Sequence, residues 1–271
     1  MKANRKLCKS LLIGIVSLVT ISTGTNATEN TLTDTQLHAT LGIVTNFILD
    51  DSIVHNGTSY GTVTSPYTRR VWLDRNLGAK RVCTSFDDAQ CYGDYYQWGR
   101  NFDGHQESGS DVTNVVTNND ENVGHGDFIR GSPDWISNMG SVGRRGIKWF
   151  KHDGTSVCPV GFRVATKNEF RRELFLTSSA RINLDSTQKD GNSDDKRLNA
   201  FNSFLKLPSS GFRRYDTGDF LSLGESGILF SVSVFHGFRA YGIKYSNLFA
   251  SNSLNLFARG LPIRCIKIPK H

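Results

Sequence analysis

Long apolar runs are scarce in this 271-residue chain. The longest, from Leu11 to Ile21, has about 11 residues, whereas a membrane-spanning helix needs about 20. Four Lys and Arg residues precede this run, and Thr25 and Ala27 supply the small residues of a cleavage site after it. The pattern predicts a cleavable signal peptide over residues 1–27, with no membrane span after its removal.

A concentrated basic face is also lacking. The formal net charge is +7, but four of the positive charges lie in residues 1–27 and no acidic residue lies there. The remaining chain therefore carries a net charge of about +3, spread along its length, whereas nucleic-acid binding needs a clustered basic surface. The sequence predicts no nucleic-acid partner.

The cysteines are not spaced for a metal site, since neither C-x2-C nor C-x4-C occurs. After residue 27 four cysteines remain: Cys83, Cys91, Cys158 and Cys265. An even number in an exported chain predicts two disulfides. Three pairings are possible on paper, and we favour Cys83–Cys91 with Cys158–Cys265. These patterns predict an extracytoplasmic protein, whether periplasmic, on the cell surface or secreted, with no metal ion or cofactor.

The pattern of apolar and turn residues predicts an α+β domain over residues 53–271, after a linker or N-terminal segment at 28–52. Asn56-Gly57 predicts a hairpin turn, and Thr166 with Glu169 predicts a capping box that opens a helix. Asp194 or Asp195 is expected to cap a second helix. Strands are expected at 70–74, 161–164, 204–207, 228–234, 238–245 and 263–268, whereas 101–156 shows no periodicity.

Several sequence blocks occur in an order that points to a known family. They are GTVTSP at 61–66, VWLDRNLGA at 71–79, YGDYYQWGR at 92–100, CPVGFR at 158–163, LKLPSSGFR at 205–213 and IRCI at 263–266. Their order and spacing resemble the Fibrobacter succinogenes major paralogous domain family, which is found on exported bacterial proteins, and the resemblance covers roughly residues 53–268. Departures are small: the family's Leu-Pro-Thr after Gly-Phe-Arg is replaced by Val164-Ala165-Thr166.

The resemblance implies a C-type-lectin-like fold with short helices, an antiparallel sheet and many loops. It does not imply an activity. The Glu-Pro-Asn, Gln-Pro-Asp and Trp-Asn-Asp triplets of calcium-dependent lectins are absent from the sequence. Asp190, Asn192 and Asp194 alternate as calcium ligands do, but the turn glycine and final glutamate of such a loop are missing. We interpret this stretch as a solvated loop, and calcium binding there stays open.

Two catalytic hypotheses can be formed. The first is the copper chemistry of formylglycine-generating enzymes, which the fold resembles distantly; it needs a close cysteine pair, and no cysteine lies between Cys158 and Cys265. The second is a loop site built from His105, His125 and His152 with Asp103 and Asp127. Because these residues lack helical ligand spacing, we favour their interpretation as turn elements.

Aromatic residues are dense at Tyr92, Tyr95, Tyr96 and Trp98, where core packing is favoured over the stacking of sugar rings.

The resulting expectation is a non-catalytic binding module for a glycan or protein ligand at the cell surface. Its contacts are expected in the loops and late strands at 235–259, with Tyr241, Tyr245, Asn247 and Asn252 as candidate ligand-binding residues. The alternatives are an enzyme that uses the His/Asp loop site and a structural component of the envelope.

Overall fold

The computed structural model of the chain describes residues 52–175 and 195–269. The predicted signal peptide, almost all of the 28–52 segment and the Asp190–Asp194 loop lie outside these residues. The described part is α+β, as the sequence predicts, with short helices and mostly antiparallel strands. Its α-helices are α1 (Val142–Phe150), α2 (Lys167–Leu174) and α3 (Lys196–Asn202).

The strands of the described residues are short, and the longest lie late in the chain. They are β1 (Ile53–His55), β2 (Thr58–Tyr60), β3 (Thr62–Thr64), β4 (Val71–Leu73), β5 (Tyr96–Gln97), β6 (Val112–Thr113), β7 (Phe128–Ile129), β8 (Phe162–Val164), β9 (Ser210–Arg213), β10 (Phe220–Leu223), β11 (Ser226–Val234), β12 (Arg239–Ser246), β13 (Ala250–Leu256), β14 (Gly260–Leu261) and β15 (Cys265–Lys267).

Two sheets organise the domain. The larger has seven strands, in the order β13-β12-β11-β9-β14-β5, with β10 paired to β9. The smaller has four strands, in the order β3-β4-β15-β8. The β1–β2 hairpin turns at Asn56 and Gly57, whose positive φ angles are those of the tight turn that Asn-Gly favours. The predicted hairpin is therefore confirmed.

Both predicted disulfides are present. Cys83 and Cys91 are joined with a Cα–Cα distance of 5.1 Å, and Cys158 and Cys265 with one of 6.0 Å. Cys265 lies on β15, which is central in the four-stranded sheet and pairs with β4 and β8. The second disulfide therefore fastens the last strand of the domain to the segment that leads into β8.

Helix α2 begins as the sequence predicts. The Thr166 side chain accepts a hydrogen bond from the Glu169 amide, and the Glu169 carboxylate accepts one from the Thr166 amide, which completes the capping box. Phe170 and Leu174 lie on the inner face and are fully buried. Asp195 caps α3 by accepting a hydrogen bond from the Arg197 amide.

Apolar cores lie on both faces of the β11–β12 pair. Along β11, Ile228, Phe230 and Val232 enter the core that contains Trp98 and Trp149, whereas Leu229 enters the core that contains Trp72 and Phe170. Because side chains alternate along a strand, such a strand is buried on both faces. The aromatic run also belongs to the core: Tyr95, Tyr96 and Trp98 are at most 3% exposed, so this run offers no rings for sugar stacking.

The structure differs from the sequence-based prediction at several places, of which three are close to the candidate surfaces. Residues 204–207 form a turn after α3, in which the Leu207 amide donates to Ala200, and the strand begins only at Ser210. Helix α1 lies inside the 101–156 region, where no helix was predicted; it exposes the apolar Ile147 and Phe150 and buries Arg145. Strand β13 was not predicted, since its ASNSLNL sequence is mostly polar.

Candidate functional site

The predicted ligand-binding residues lie on the hairpin of β12 and β13. In its register Tyr241 is opposite Leu254, Ile243 is opposite Asn252, and Tyr245 is opposite Ala250. Residues opposite one another in an antiparallel pair share a face of the sheet. The structure therefore brings Tyr241 and Asn252 onto one face, in neighbouring cross-strand pairs.

Tyr241 is half-buried and is held by two neighbours. The Lys167 ammonium, in the first turn of α2, lies 3.7 Å from the centre of the tyrosine ring, a cation–π contact. The ring of Phe235, in the β11–β12 turn, meets Tyr241 edge-on at 5.5 Å between centroids. Leu254 and Phe235 are 40% and 36% exposed. We call Lys167, Phe235, Tyr241, Asn252 and Leu254 the hairpin patch.

Tyr245 does not belong to this surface. Its ring is fully buried, and its hydroxyl donates a 2.6 Å hydrogen bond to the Pro208 carbonyl. Burial raises the pKa of this phenol well above its ordinary value, so the hydroxyl stays protonated. Tyr245 is thus a core residue and cannot contact a ligand, which corrects the expectation from the sequence.

Asn247 lies at the end of the hairpin, in the turn between β12 and β13, and is exposed. Its carbonyl accepts a 3.4 Å hydrogen bond from the Lys196 amide at the start of α3. This bond ties the turn to the rest of the domain. Asn247 therefore flanks the hairpin patch at the turn end, and Asn252 lies within the patch.

Of the residues in the second catalytic hypothesis, Asp103, His105, His125 and Asp127 lie around Arg100, whereas His152 does not join them. His105 is fully buried; its Nδ1 lies 2.6 Å from an Asp103 oxygen, and its Nε2 accepts a hydrogen bond from the Gln97 amide. Both ring nitrogens are therefore engaged. Burial lowers the pKa of His105 to about 4, so the ring is neutral near pH 7.

Asp103 and Arg100 complete this buried arrangement. Burial by itself would raise the pKa of Asp103, but the His105 hydrogen bond and the Arg100 charge lower it overall. The Arg100 guanidinium donates to Asp103, to the Gln97 side chain and to the carbonyls of His125 and Asp127. The loops at 103–106 and 125–127 are thus held by one arginine.

A polar cavity of about 540 Å³ adjoins Arg100 and Asp103. His125 lines it, and its Nδ1 accepts a hydrogen bond from the Asp127 amide. His152 lies elsewhere, exposed on the rim of a groove between α1 and β11. Within residues 52–175 and 195–269, no three His, Cys, Asp or Glu side chains cluster as metal ligands would.

The groove between α1 and β11 is a feature that the sequence did not indicate. It has a volume of about 880 Å³ and mostly apolar walls. Ile147 and Phe150, from α1, are 65% and 47% exposed there, and Val232 and Val234 form the opposite wall. The groove could not be predicted because its wall, helix α1, was not predicted. That helix carries apolar residues on its outward face and Arg145 on its inward face.

Comparisons with known proteins add no relative: no protein-family model, curated protein or solved structure matches the chain. In the part of the chain that the structure describes, no helix is both long and apolar enough to cross a membrane.

Proposed function

We propose that this chain is an exported, non-catalytic binding module that recognises a glycan or protein ligand at the cell surface through its β12–β13 hairpin. The carrying observation is the hairpin patch, where exposed or half-buried amide, aromatic and aliphatic side chains lie on the same sheet face as the buried Ile243 and Tyr245. On a rigid framework, such side chains can bind hydroxyl-rich or peptide surfaces through hydrogen bonds and apolar contacts as well as through charge.

The rigidity of this surface supports the assignment. Strand β12 is paired along its length with β13, and with β11 except at an irregularity opposite Tyr241, where the Ser231 hydroxyl donates to the Tyr241 carbonyl. The buried Tyr245 anchors the same strand through its bond to Pro208. A pre-organised surface of this kind loses little conformational entropy when it binds a ligand.

The hydrogen bonds of His105 support the proposal that the chain is not an enzyme. A general base needs a ring nitrogen that can reach a substrate, and both nitrogens of His105 are engaged inside the protein. His152 lines a different groove from His125, so these two rings do not form a pair.

The fold and the sequence blocks together suggest a family, a fold type and a location for the chain. We propose membership of the Fibrobacter succinogenes major paralogous domain family, with a C-type-lectin-like fold and an extracytoplasmic location. Its support is the α+β order, the return of the last strand to the sheet of the first strands, and two disulfides. Disulfides persist in oxidising compartments.

A binding screen of the purified chain against arrays of bacterial and host glycans and of surface proteins tests the proposal. Tyr241→Ala and Asn252→Ala should each weaken binding of the selected ligand about tenfold, as expected for lost central contacts. Asn118→Ala is the matched control, because Asn118 is exposed and lies outside the hairpin. Unchanged binding by both patch variants, or turnover of a ligand that depends on His125, would overturn the proposal.

A further inference from the structure

Strand β13 forms one edge of the seven-stranded sheet. All seven of its residues pair with β12 without a register shift. At the hairpin turn the Ser246 amide donates to the Phe249 carbonyl, and at the other end the Phe257 amide donates to the Phe238 carbonyl. Both are narrow antiparallel pairs, and narrow and wide pairs alternate. The backbone groups of 251, 253 and 255 therefore face β12.

It follows that Ala250, Asn252 and Leu254 turn their N–H and C=O groups away from β12, toward the open side of the strand. Natural edge strands are usually shielded by a charged side chain, a proline or a bulge. Strand β13 has none of these: its sequence is ASNSLNL and its pairing is regular. The opposite end of the sheet, β5, is only two residues long.

The charged side chains on the hairpin itself have one sign. Residues 226–269 contain no Asp or Glu. Lys167 contacts the Tyr241 ring and therefore lies on the Tyr241 face of the hairpin. Arg239 is two residues before Tyr241 on the same strand and shares that face, whereas Lys244 lies on the other face. Among the described residues none of these three cations has a carboxylate partner; Lys167 and Lys244 contact the rings of Tyr241 and Phe249.

We propose that β13 is a docking edge for an extended segment of a partner protein that carries carboxylate side chains. The inference rests on the proposed function and names the partner class for the same hairpin. Main-chain hydrogen bonds to Asn252 and Leu254 supply a strand-addition interface, and the unpaired cations on both faces select an acidic strand. A second copy of this chain is a poor occupant, because pairing two β13 edges brings the cations of both copies together.

The probe is a capped ten-residue peptide in which valine and glutamate alternate, with a valine–lysine peptide as the charge-reversed control. Fluorescence anisotropy should show saturable binding of the glutamate peptide, and binding of the lysine peptide about tenfold weaker or absent. Equal binding of both peptides, or binding of neither, overturns the inference.

Backbone recognition is tested at two edge positions. Asn252→Pro and Leu254→Pro each remove an outward N–H, the position at which an edge strand tolerates proline, and leave the β12 bonds in place. Each should lower peptide affinity well beyond the roughly tenfold loss that is expected for Asn252→Ala. An equal loss in Asn252→Ala and Asn252→Pro contradicts strand addition.

Amide hydrogen exchange of the unmodified chain, read by NMR, makes the test independent of proline effects on folding. The amides of Asn252 and Leu254 should exchange quickly in the unbound chain and gain protection with the glutamate peptide. Absence of that gain overturns the inference, as does a concentration-dependent dimer that Asn252→Pro abolishes. If a glycan binds specifically and the amides of Asn252 and Leu254 gain no protection, the inferred strand-addition partner is wrong and the proposed function stands.

Discussion

Tyr245 lies across Gly227, its partner in the β11–β12 register. The phenol ring occupies the space that a Cβ atom at position 227 would need, and its hydroxyl reaches the Pro208 carbonyl. The ring is therefore locked between two strands and the start of β9. This contact explains why a residue that looks like a ligand contact in the sequence is buried.

Gly227→Ala should strongly destabilise the domain, by several kcal/mol, because the new methyl group overlaps a buried ring that cannot move aside. Gly143→Ala is the control: it lies in α1, a Cβ there meets no atom within 4 Å, and alanine should stabilise the helix by about 0.5–1 kcal/mol. Thermal and urea unfolding of both variants measure this difference. A Gly227→Ala variant as stable as the unmodified chain would contradict the packing.

The buried ion pair of α1 gives a second prediction. Arg145 and Asp134 are joined by two hydrogen bonds, at 3.0 and 2.5 Å, and the guanidinium lies within 6 Å of the rings of Trp98, Trp135 and Phe257. Asp134→Ala should cost about 3–5 kcal/mol of unfolding free energy, because it leaves a buried, unpaired charge.

The double variant Asp134→Leu with Arg145→Met should recover much of that loss, since it removes both charges. Asp216→Ala breaks the half-exposed pair with Arg214 and should change stability little. Urea unfolding of the variants provides the comparison. A double variant as unstable as Asp134→Ala would show that the charge is not the cause.

The buried His105 predicts a dependence of stability on pH. Its pKa is about 4 in the folded chain and near 6.5 when exposed, so between these values the unfolded chain binds more protons. The unfolding free energy should fall by about 3 kcal/mol as the pH drops from 6.5 to 4. Chemical unfolding across this range in the unmodified chain and in His105→Gln measures the effect. An equal slope in both proteins would assign the pH dependence to other groups.

The two disulfides should differ in their contribution. Their sequence separations are 107 for Cys158–Cys265 and 8 for Cys83–Cys91. In the chain-entropy account, a loop of roughly 100 residues gives about 4.7 kcal/mol and one of roughly ten about 2.5 kcal/mol. Replacing Cys158 and Cys265 by serine should therefore lower the melting temperature more than replacing Cys83 and Cys91. The reverse order would contradict this.

The sequence predicted those parts of the fold that depend on local chemistry. The Asn56-Gly57 turn and the Thr166–Glu169 capping box are set by residues within one turn of each other, and both are confirmed. The disulfide pairing was also correct. Strand β13 escaped detection because its sequence is mostly polar, and helix α1 because it exposes apolar residues and buries an arginine.

The candidate site was only partly predictable for a related reason. Tyr241 and Tyr245 have the same strand parity, and nothing local distinguishes the half-exposed ring from the buried one. Their difference comes from Gly227 and Pro208, which lie far from them in the sequence. The open side of β13 could not be anticipated either, since strand order is a property of the whole sheet.

The central place of β15 has a consequence for synthesis. Its neighbours β4 and β8 are made long before it, and Ile266 pairs with Trp72 only when the final residues of the domain are present. The four-stranded sheet therefore stays open during synthesis until the last strand of the domain has been made, although both of its neighbours are already present.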